Sequence, residues 1–298
     1  MKIGWIGLGR MGRPMVENLV RKGFDVTAQN RSQAKVAELV TMGATAGGSF
    51  AQMAAELDAI HTCLPGTETV EQVVAGEGGL LDSARSGLLL VDHSTIHPDS
   101  ARRLARLAAE RGAAFIDAPV SGSGPVAERG ELTIMCGGEP EAFEQARPAM
   151  EAMGRTVALM GPSGSGALTK IVNNVLMAAN LAVAMEGLLF AVKAGLDPQA
   201  LFSVVRTASG ASRTWERNVP RILSREFGKD GSALLTSKDQ ELAHELAAGM
   251  GLDMPVFEAS RAFWSAAVAA GLGEEDPSHA VTLLEERLGF AATGEGLG

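Results

Sequence analysis

The sequence predicts an α/β protein: a doubly wound parallel sheet in the first half, a long connecting helix, and an all-α second half. Three observations predict it. A short apolar run from Lys2 to Ile6 ends in Gly7-Leu8-Gly9-Arg10-Met11-Gly12, the G-x-G-x-x-G spacing of a strand–turn–helix unit. Short strand-like runs then alternate with helical stretches as far as Met160. From Ser163 to Gly195 an apolar stretch without proline follows, and beyond it no strand-like run recurs.

The 298 residues are 46% hydrophobic, ample for two domains with their own cores. The expected boundary is Gly161-Pro162, dividing the chain into 1–161 and 162–298. A net charge of −9 and a pI near 5.2 argue against nucleic acid or an anionic membrane as partner. The arginines at 102, 103 and 106, and those from Arg206 to Arg225, read as solvated helix faces. Two cysteines, Cys63 and Cys136, make no disulfide framework and suggest a reducing compartment. The apolar pattern begins at Lys2, which leaves no room for a signal peptide. The uncharged run from Ile171 to Met185 is short for a bilayer and holds three asparagines. The expectation is a soluble, cytoplasmic protein. No metal is expected either: His93 and His97 are four apart, but Pro98 and the strand end keep them off a shared helical face.

In the glycine motif the first glycine allows a tight turn, the second lets the backbone approach a pyrophosphate, and the third allows close helix–strand packing. A diphosphate would meet the positive end of the helix expected from Arg10 to Lys22. Gly23 ends that helix, and Asp25 to Gln29 forms the next strand. An acid just after that strand would hold the ribose hydroxyls of NAD and repel a 2′-phosphate. Asn30-Arg31-Ser32 stands there instead. An amide, a guanidinium and a hydroxyl accept a phosphate dianion, so NADP(H) is the expected cofactor, with NAD(H) left open. Ser32 also fits the cap of a helix from Gln33 to Met42, and the two roles are compatible.

Ala59 to Leu64 and Leu88 to Asp92 read as further strands, ending at Pro65-Gly66 and His93-Ser94-Thr95. Pro98 opens a helix to Arg111, and Phe115 to Ala118, Leu132 to Cys136 and Thr156 to Met160 complete a Rossmann-type set of strands, with a helix from Pro140 to Met153. Strand ends in such a sheet face the cofactor, which places Cys63, Leu64, Pro65 and Thr95 beside it. The loop Ser121-Gly122-Ser123 also follows a strand end. Its small residues make a nest for a carboxylate or a plain turn, and the residues alone leave both open.

The long helix is expected from Gly166 to Ala194, 29 positions spanning roughly 43 Å. Apolar residues lie on every side, so burial nearly all round is expected. Lys170, Asn173 and Asn174 sit in its first turns, with Lys170 and Asn174 four apart on one face. A lysine there is either an acid/base candidate or a side chain reaching out to solvent. Helices follow over Pro198–Thr207, Ser212–Val219, Lys238–Met250, Pro255–Ala270 and Ser278–Leu288, and the glycine-rich tail from Thr293 reads as frayed. Trp215, Phe227, Phe257, Phe263 and Trp264 read as core or subunit-interface residues. Ser237-Lys238-Asp239 reads as a helix start; Lys238 either reaches a carboxylate in the cleft or is simply exposed, and the residues alone favour exposure.

The set Ile6–Gly12 through Met15, Asp117-Ala118-Pro119-Val120-Ser121-Gly122, Gly166-x-x-x-Lys170-x-x-x-Asn174 and Lys238-Asp239 resembles the β-hydroxyacid dehydrogenase family. That family includes 3-hydroxyisobutyrate dehydrogenases, tartronate semialdehyde reductases and glyoxylate/succinic semialdehyde reductases. The resemblance covers nearly the whole chain. It implies that Lys170 is the catalytic acid/base and that Asn174 orients it and the substrate. It implies that Ser121, Gly122 and Ser123 bind the substrate carboxylate, that Lys238 lies near nicotinamide and substrate, and that the protein is a homodimer or homotetramer through its helical half. Ser123 stands where many members have glycine, and with Asn30-Arg31 it looks more like the NADPH-dependent glyoxylate/succinic semialdehyde reductases. The segment from Phe227 to Ser232 lacks the family's apolar pattern. A cofactor-binding protein without turnover is disfavoured by the retained Lys170 and Asn174, an imine reductase by the lysine, and a 6-phosphogluconate dehydrogenase by the short helical half.

Overall fold

The computed structural model describes residues 1–228, 231–294 and 296–297, and the chain divides into two units, Met1–Lys170 and Ile171–Gly298. In chain order the first unit runs β1 (Lys2–Ile6), α1 (Gly12–Arg21), β2 (Asp25–Gln29), α2 (Gln33–Val40), β3 (Thr45–Ala46), α3 (Phe50–Glu56), β4 (Ala59–Thr62), α4 (Thr67–Ala75), β5 (Leu89–Asp92) and α5 (Pro98–Glu110). It continues with β6 (Ala114–Asp117), β7 (Val120–Ser121), α6 (Gly124–Glu128), β8 (Leu132–Gly137), α7 (Pro140–Glu151), β9 (Gly154–Gly161) and the start of α8 (Ser165–Lys193).

The strands lie in the order β3-β2-β1-β4-β5-β6-β8-β7, with β9 also paired to β8. From β3 to β6 every pairing is parallel. Such strands are covered on both faces, and β4 and β5 are buried at every residue. The far edge is mixed: β8 runs antiparallel to β6 and β7, and parallel to β9. Only Ala118-Pro119 separates β6 from β7, too few residues for a parallel crossover. Strand order reverses between β1 and β4, where an open α/β sheet has its crevice. The register Ile6–Thr62–Asp92–Asp117 aligns the carboxyl ends of four strands along that edge. Alternating side chains feed two cores, one with Ile3, Leu19 and Val91, the other with Ile6, Ile60 and Leu90.

The second unit holds α8 from Ile171 onward, α9 (Pro198–Val205), α10 (Arg213–Ser224), α11 (Ala233–Gly249), α12 (Pro255–Ala267) and α13 (Val281–Leu288). Its core gathers Met185, Leu188, Trp215, Val219 and Trp264. Phe227 stacks on His279, while Lys229 and Asp230 of the segment flagged in the sequence lie outside the described residues.

Four expectations need correction. First, α8 is not buried all round: Val172, Leu176, Val183 and Phe190 are exposed, Phe190 at 77%. One face fills the core of the second unit and this chain leaves the other uncovered. By length and composition α8 is apolar enough to cross a membrane, with a mean hydropathy of 2.0, so its short uncharged run alone does not exclude a span. Second, Ser237 does not open a helix. Ser232 does, accepting the Leu235 N–H, so Lys238 lies in the second turn of α11. Third, a strand pair does occur in the second half: β10 (Ala292–Thr293) pairs antiparallel with β11 (Gly296–Leu297). Fourth, the tail expected to fray is therefore paired at Thr293 and Gly296, while Glu295 and Gly298 lie outside the described residues.

Beneath the glycine-rich loop Trp5, His61 and His93 stack in the first core, with ring centroids 5.2 to 5.6 Å apart. His93 Nδ1 faces the Ala118 carbonyl oxygen at 2.9 Å and its Nε2 faces His61 Nδ1 at 2.9 Å. Both neutral rings then carry their proton on Nδ1, and His61 Nε2 has no partner. Burial holds His93 down to about 4 and, with the neighbouring ring, His61 well below its ordinary value. A pKa depressed by folding contributes stability that is fully present above about 6.5 and is lost as pH falls. Asp92 and Asp117, raised by burial to about 6, act in the opposite direction, so the difference between two proteins is the useful quantity. His61→Phe should flatten the fall of the urea midpoint between about pH 6.5 and 4 relative to the unsubstituted protein. Parallel curves would show that the histidine pair contributes nothing to acid sensitivity.

Candidate functional site

Each glycine of the loop after β1 meets a different requirement. Gly7 has φ +102, and a Cβ there would run into the Cys63 carbonyl oxygen. A Cβ on Gly12 would run into the Gly7 carbonyl oxygen. At Gly9 nothing lies within 4 Å of an added Cβ, and the residue is exposed. Two glycines therefore fold the loop tightly, and the middle one leaves open space for a ligand. Trp5 Nε1 donates to the Gly7 carbonyl at 3.0 Å and stiffens the turn from below. Met11, at the cap of α1, offers no side-chain acceptor, and the first turn carries no acid. Arg13 N–H donates to the Gly9 carbonyl at 3.1 Å and Pro14 has no N–H, so what remains for an anion is the positive end of this ten-residue helix, beside the exposed Arg10 and the half-buried Met11. Leu8 of the loop is packed into the core and Met11 lies against it. These features fit a nicotinamide dinucleotide.

Asn30 ties the loop to the end of β2. Its Oδ1 accepts the Leu8 N–H at 3.1 Å and its Nδ2 donates to the Ser32 carbonyl at 3.3 Å. Arg31 and Ser32 are exposed, and Ser32 makes no capping bond to α2. Lys35, which the sequence reading missed, reaches back to the Leu8 carbonyl at 3.2 Å. Its signal was its place in the first turn of α2, just after Arg31-Ser32.

β4 stops at Thr62, earlier than expected, and Cys63, Leu64 and Pro65 form the turn after it. Leu64 N–H donates to Ser94 Oγ at 2.8 Å, and Ser94 Oγ and Thr62 Oγ1 each donate to Asp92 Oδ1 at 2.6 Å. The buried Asp92 carboxyl therefore holds this turn against the end of β5, next to the half-buried Thr95. Burial, and then the charge of Asp92, push the Cys63 thiol up to about 12, which leaves no thiolate at neutral pH.

Of the proposed carboxylate loop, Ser121 proves to be the last residue of β7, a correction to its reading as loop. Gly122 has φ +148, and a Cβ there would press on Leu132 and Val126. Ser123 precedes α6 without capping it. Asn18 braces α6 from α1, its Nδ2 donating to Ala127 O at 2.7 Å and Pro14 O at 2.9 Å. The loop is thus mechanically linked to the helix that starts at the glycine motif.

The first turn of α8 lies directly on the ends of β6 and β8. Gly164 N–H and Ala167 N–H donate to Asp117 Oδ1 and Oδ2 at 2.7 and 2.8 Å. A Cβ on Gly166 would collide with the Met135 carbonyl oxygen. Lys170 stands one turn further on, half-buried, as the last residue of the first unit. In the second unit the buried Asn174 donates through Nδ2 to Asp239 Oδ2 at 2.6 Å and accepts from Asn173 Nδ2 at 3.0 Å. Asp239 was visible in the sequence only as the neighbour of Lys238, which is exposed.

Residues 2–161 match the family model of the NAD-binding domain of 6-phosphogluconate dehydrogenase. Residues 164–284 match the model for NAD binding of NADP-dependent 3-hydroxyisobutyrate dehydrogenase. The chain is 37% identical over 295 residues to 2-(hydroxymethyl)glutarate dehydrogenase of Eubacterium barkeri, covering 99% of this chain and 98% of that one. It is 34% identical over 285 residues to 2-hydroxy-3-oxopropionate reductase of Escherichia coli strain K12, covering 96% and 97%. Among solved structures, Mycobacterium tuberculosis 3-hydroxyisobutyrate dehydrogenase with L-serine superposes with a TM-score of 0.87 at 30% identity, over 95% of this chain and 98% of that one. With its glycine loop, its sheet order and its long α8, this chain belongs to the β-hydroxyacid dehydrogenase family of NAD(P)-dependent oxidoreductases.

Proposed function

We propose that the protein interconverts a small carboxylate-bearing aldehyde or ketone, such as glyoxylate or succinic semialdehyde, and its hydroxy acid. Lys170 is the general acid/base and NADP(H) the preferred cofactor. The observation that carries this is the seating of α8: its first turn is fixed to the carboxyl ends of β6 and β8, in the unit that holds the glycine loop, with Lys170 one turn beyond.

The bound cofactor supplies the hydride for reduction, or accepts it in the reverse direction. Lys170, as an ammonium, stabilises the negative charge that gathers on the substrate oxygen and gives it a proton. In oxidation the neutral amine takes the proton back. Ser121, Gly122 and Ser123 receive the substrate carboxylate. Asn174, its amide set by Asn173 and Asp239, orients substrate and lysine, and Lys238 adds a cation near the substrate. Arg31, with Ser32 and Lys35, receives a 2′-phosphate, while the Asn30 amide holds the loop. A second reading, a 3-hydroxyisobutyrate or other β-hydroxyacid dehydrogenase working oxidatively, is supported by the 37% identical relative, which is named a dehydrogenase.

We also propose a homodimer or homotetramer through the helical half. Val172, Leu176, Val183 and Phe190 fall on one face of α8, the last three seven residues apart, and leave an apolar stripe exposed. Phe190→Glu with Val183→Glu should reduce the mass seen by analytical ultracentrifugation to that of the monomer. A monomer already present without the substitutions would reject the assembly.

Loss of NADPH absorbance with glyoxylate, succinic semialdehyde, tartronate semialdehyde and methylmalonate semialdehyde tests the activity. At least one should turn over, and folded Lys170→Ala should lose about 100-fold or more in kcat. Wild-type turnover by Lys170→Ala would remove the acid/base assignment. A Michaelis constant for NADH at or below that for NADPH would remove the cofactor preference.

A further inference from the structure

We propose that Asp117 is a positioning residue for Lys170: its carboxylate caps α8 from a neighbouring strand and so sets where the lysine stands. The inference rests on the reading of Lys170 as the acid/base. Gly164 is the cap residue of α8, since its carbonyl accepts the Leu168 N–H at 3.0 Å. A glycine has no side chain with which to accept the first-turn N–H groups, and a buried helix start left without acceptors is costly. Asp117, 47 and 50 residues away along the chain, supplies both acceptors, one oxygen to Gly164 and the other to Ala167.

Two bonds to two oxygens of one planar group fix more than depth. They set the rotation of the helix about its axis, and Lys170, three residues after Ala167, turns with it. The contact leaves no slack. A Cβ on Gly137 would come within 2.7 Å of both Asp117 Oδ1 and the Gly166 backbone nitrogen. Asp117 is fully buried. Burial pushes its pKa up to about 6 while the two N–H bonds hold it down, so at neutral pH it is the carboxylate that accepts them. Its charge faces the positive end of a 29-residue helix, with Asp92 on the adjacent strand and the Cys136 thiol as the other titratable neighbours.

Asp117→Asn separates positioning from mere support. It keeps the volume but replaces one acceptor with an amide that cannot accept. NADP(H) affinity and the substrate Michaelis constant should stay at wild-type values while kcat falls about 100-fold, the scale of a displacement near 1 Å. Hydrogen exchange of the amides from 164 to 167 should quicken by about 10-fold or more. Asp117→Ala should do the same more strongly. Wild-type kcat with unchanged exchange in Asp117→Asn would overturn the proposal. So would a loss of cofactor affinity that matches the loss of turnover, or failure of Asp117→Asn to fold, either of which makes the carboxylate a support of the whole unit. Lys170→Ala measured alongside keeps the two readings apart. If it stays active, the lysine assignment fails. If it is inactive while Asp117→Asn turns over normally, only the positioning role falls.

Discussion

A helix that begins on a glycine must take its cap from elsewhere in the chain. Here the cap comes from the end of β6, where the Asp117 carboxylate accepts the Gly164 and Ala167 N–H groups. Everything proposed for Lys170 depends on that joint. Without it the first turn of α8 loses the paired acceptors that set its rotation, and the lysine one turn along moves with the helix. The surrounding glycines make the joint possible, because side chains at 137 or 166 would hold helix and strand apart.

The same sheet edge carries a second joint of similar chemistry. Asp92, level with Asp117 on the adjacent strand, gathers Thr62 and Ser94, and Ser94 holds the turn at Leu64. That turn lies against Gly7, whose missing Cβ makes room for the Cys63 carbonyl. Two buried acids on neighbouring strands thus organise two parts of this sheet edge, the turn after β4 and the start of α8. Burying them is unfavourable, and burial pushes both up to about 6. Hydroxyl and N–H partners offset this, which is the usual condition for a buried carboxylate.

Local patterns were the legible part of the sequence. Gly7, Gly9 and Gly12 announce their roles because turn, open approach and close packing all act within six residues. The alternation of strands and helices in the first half, the 29-residue helix and the helical second half follow from periodicity. What escaped was non-local or finely balanced. Asp117 could be seen as part of a motif, but no spacing rule connects it with an amide 47 residues later. β7 is two residues long and has no period to read. The start of α11 was placed late because Ser237 and Ser232 are both plausible caps, and only the Ser232 hydroxyl meets a first-turn N–H. Burial of α8 was overstated because an all-round apolar helix looks the same whether its second face is covered by its own chain or left to another. Lys35 stands in the first turn of α2, close behind Arg31 and Ser32, and that nearness was the signal for it.

The most direct measurement is a crystal structure of the protein with NADP+ and a non-reactive hydroxy acid bound together. Lys170 Nζ is expected within about 2.6–3.2 Å of the hydroxyl oxygen, with the Asp117 carboxylate still bonded to Gly164 and Ala167. A lysine turned into solvent, with another side chain against that oxygen, would contradict it.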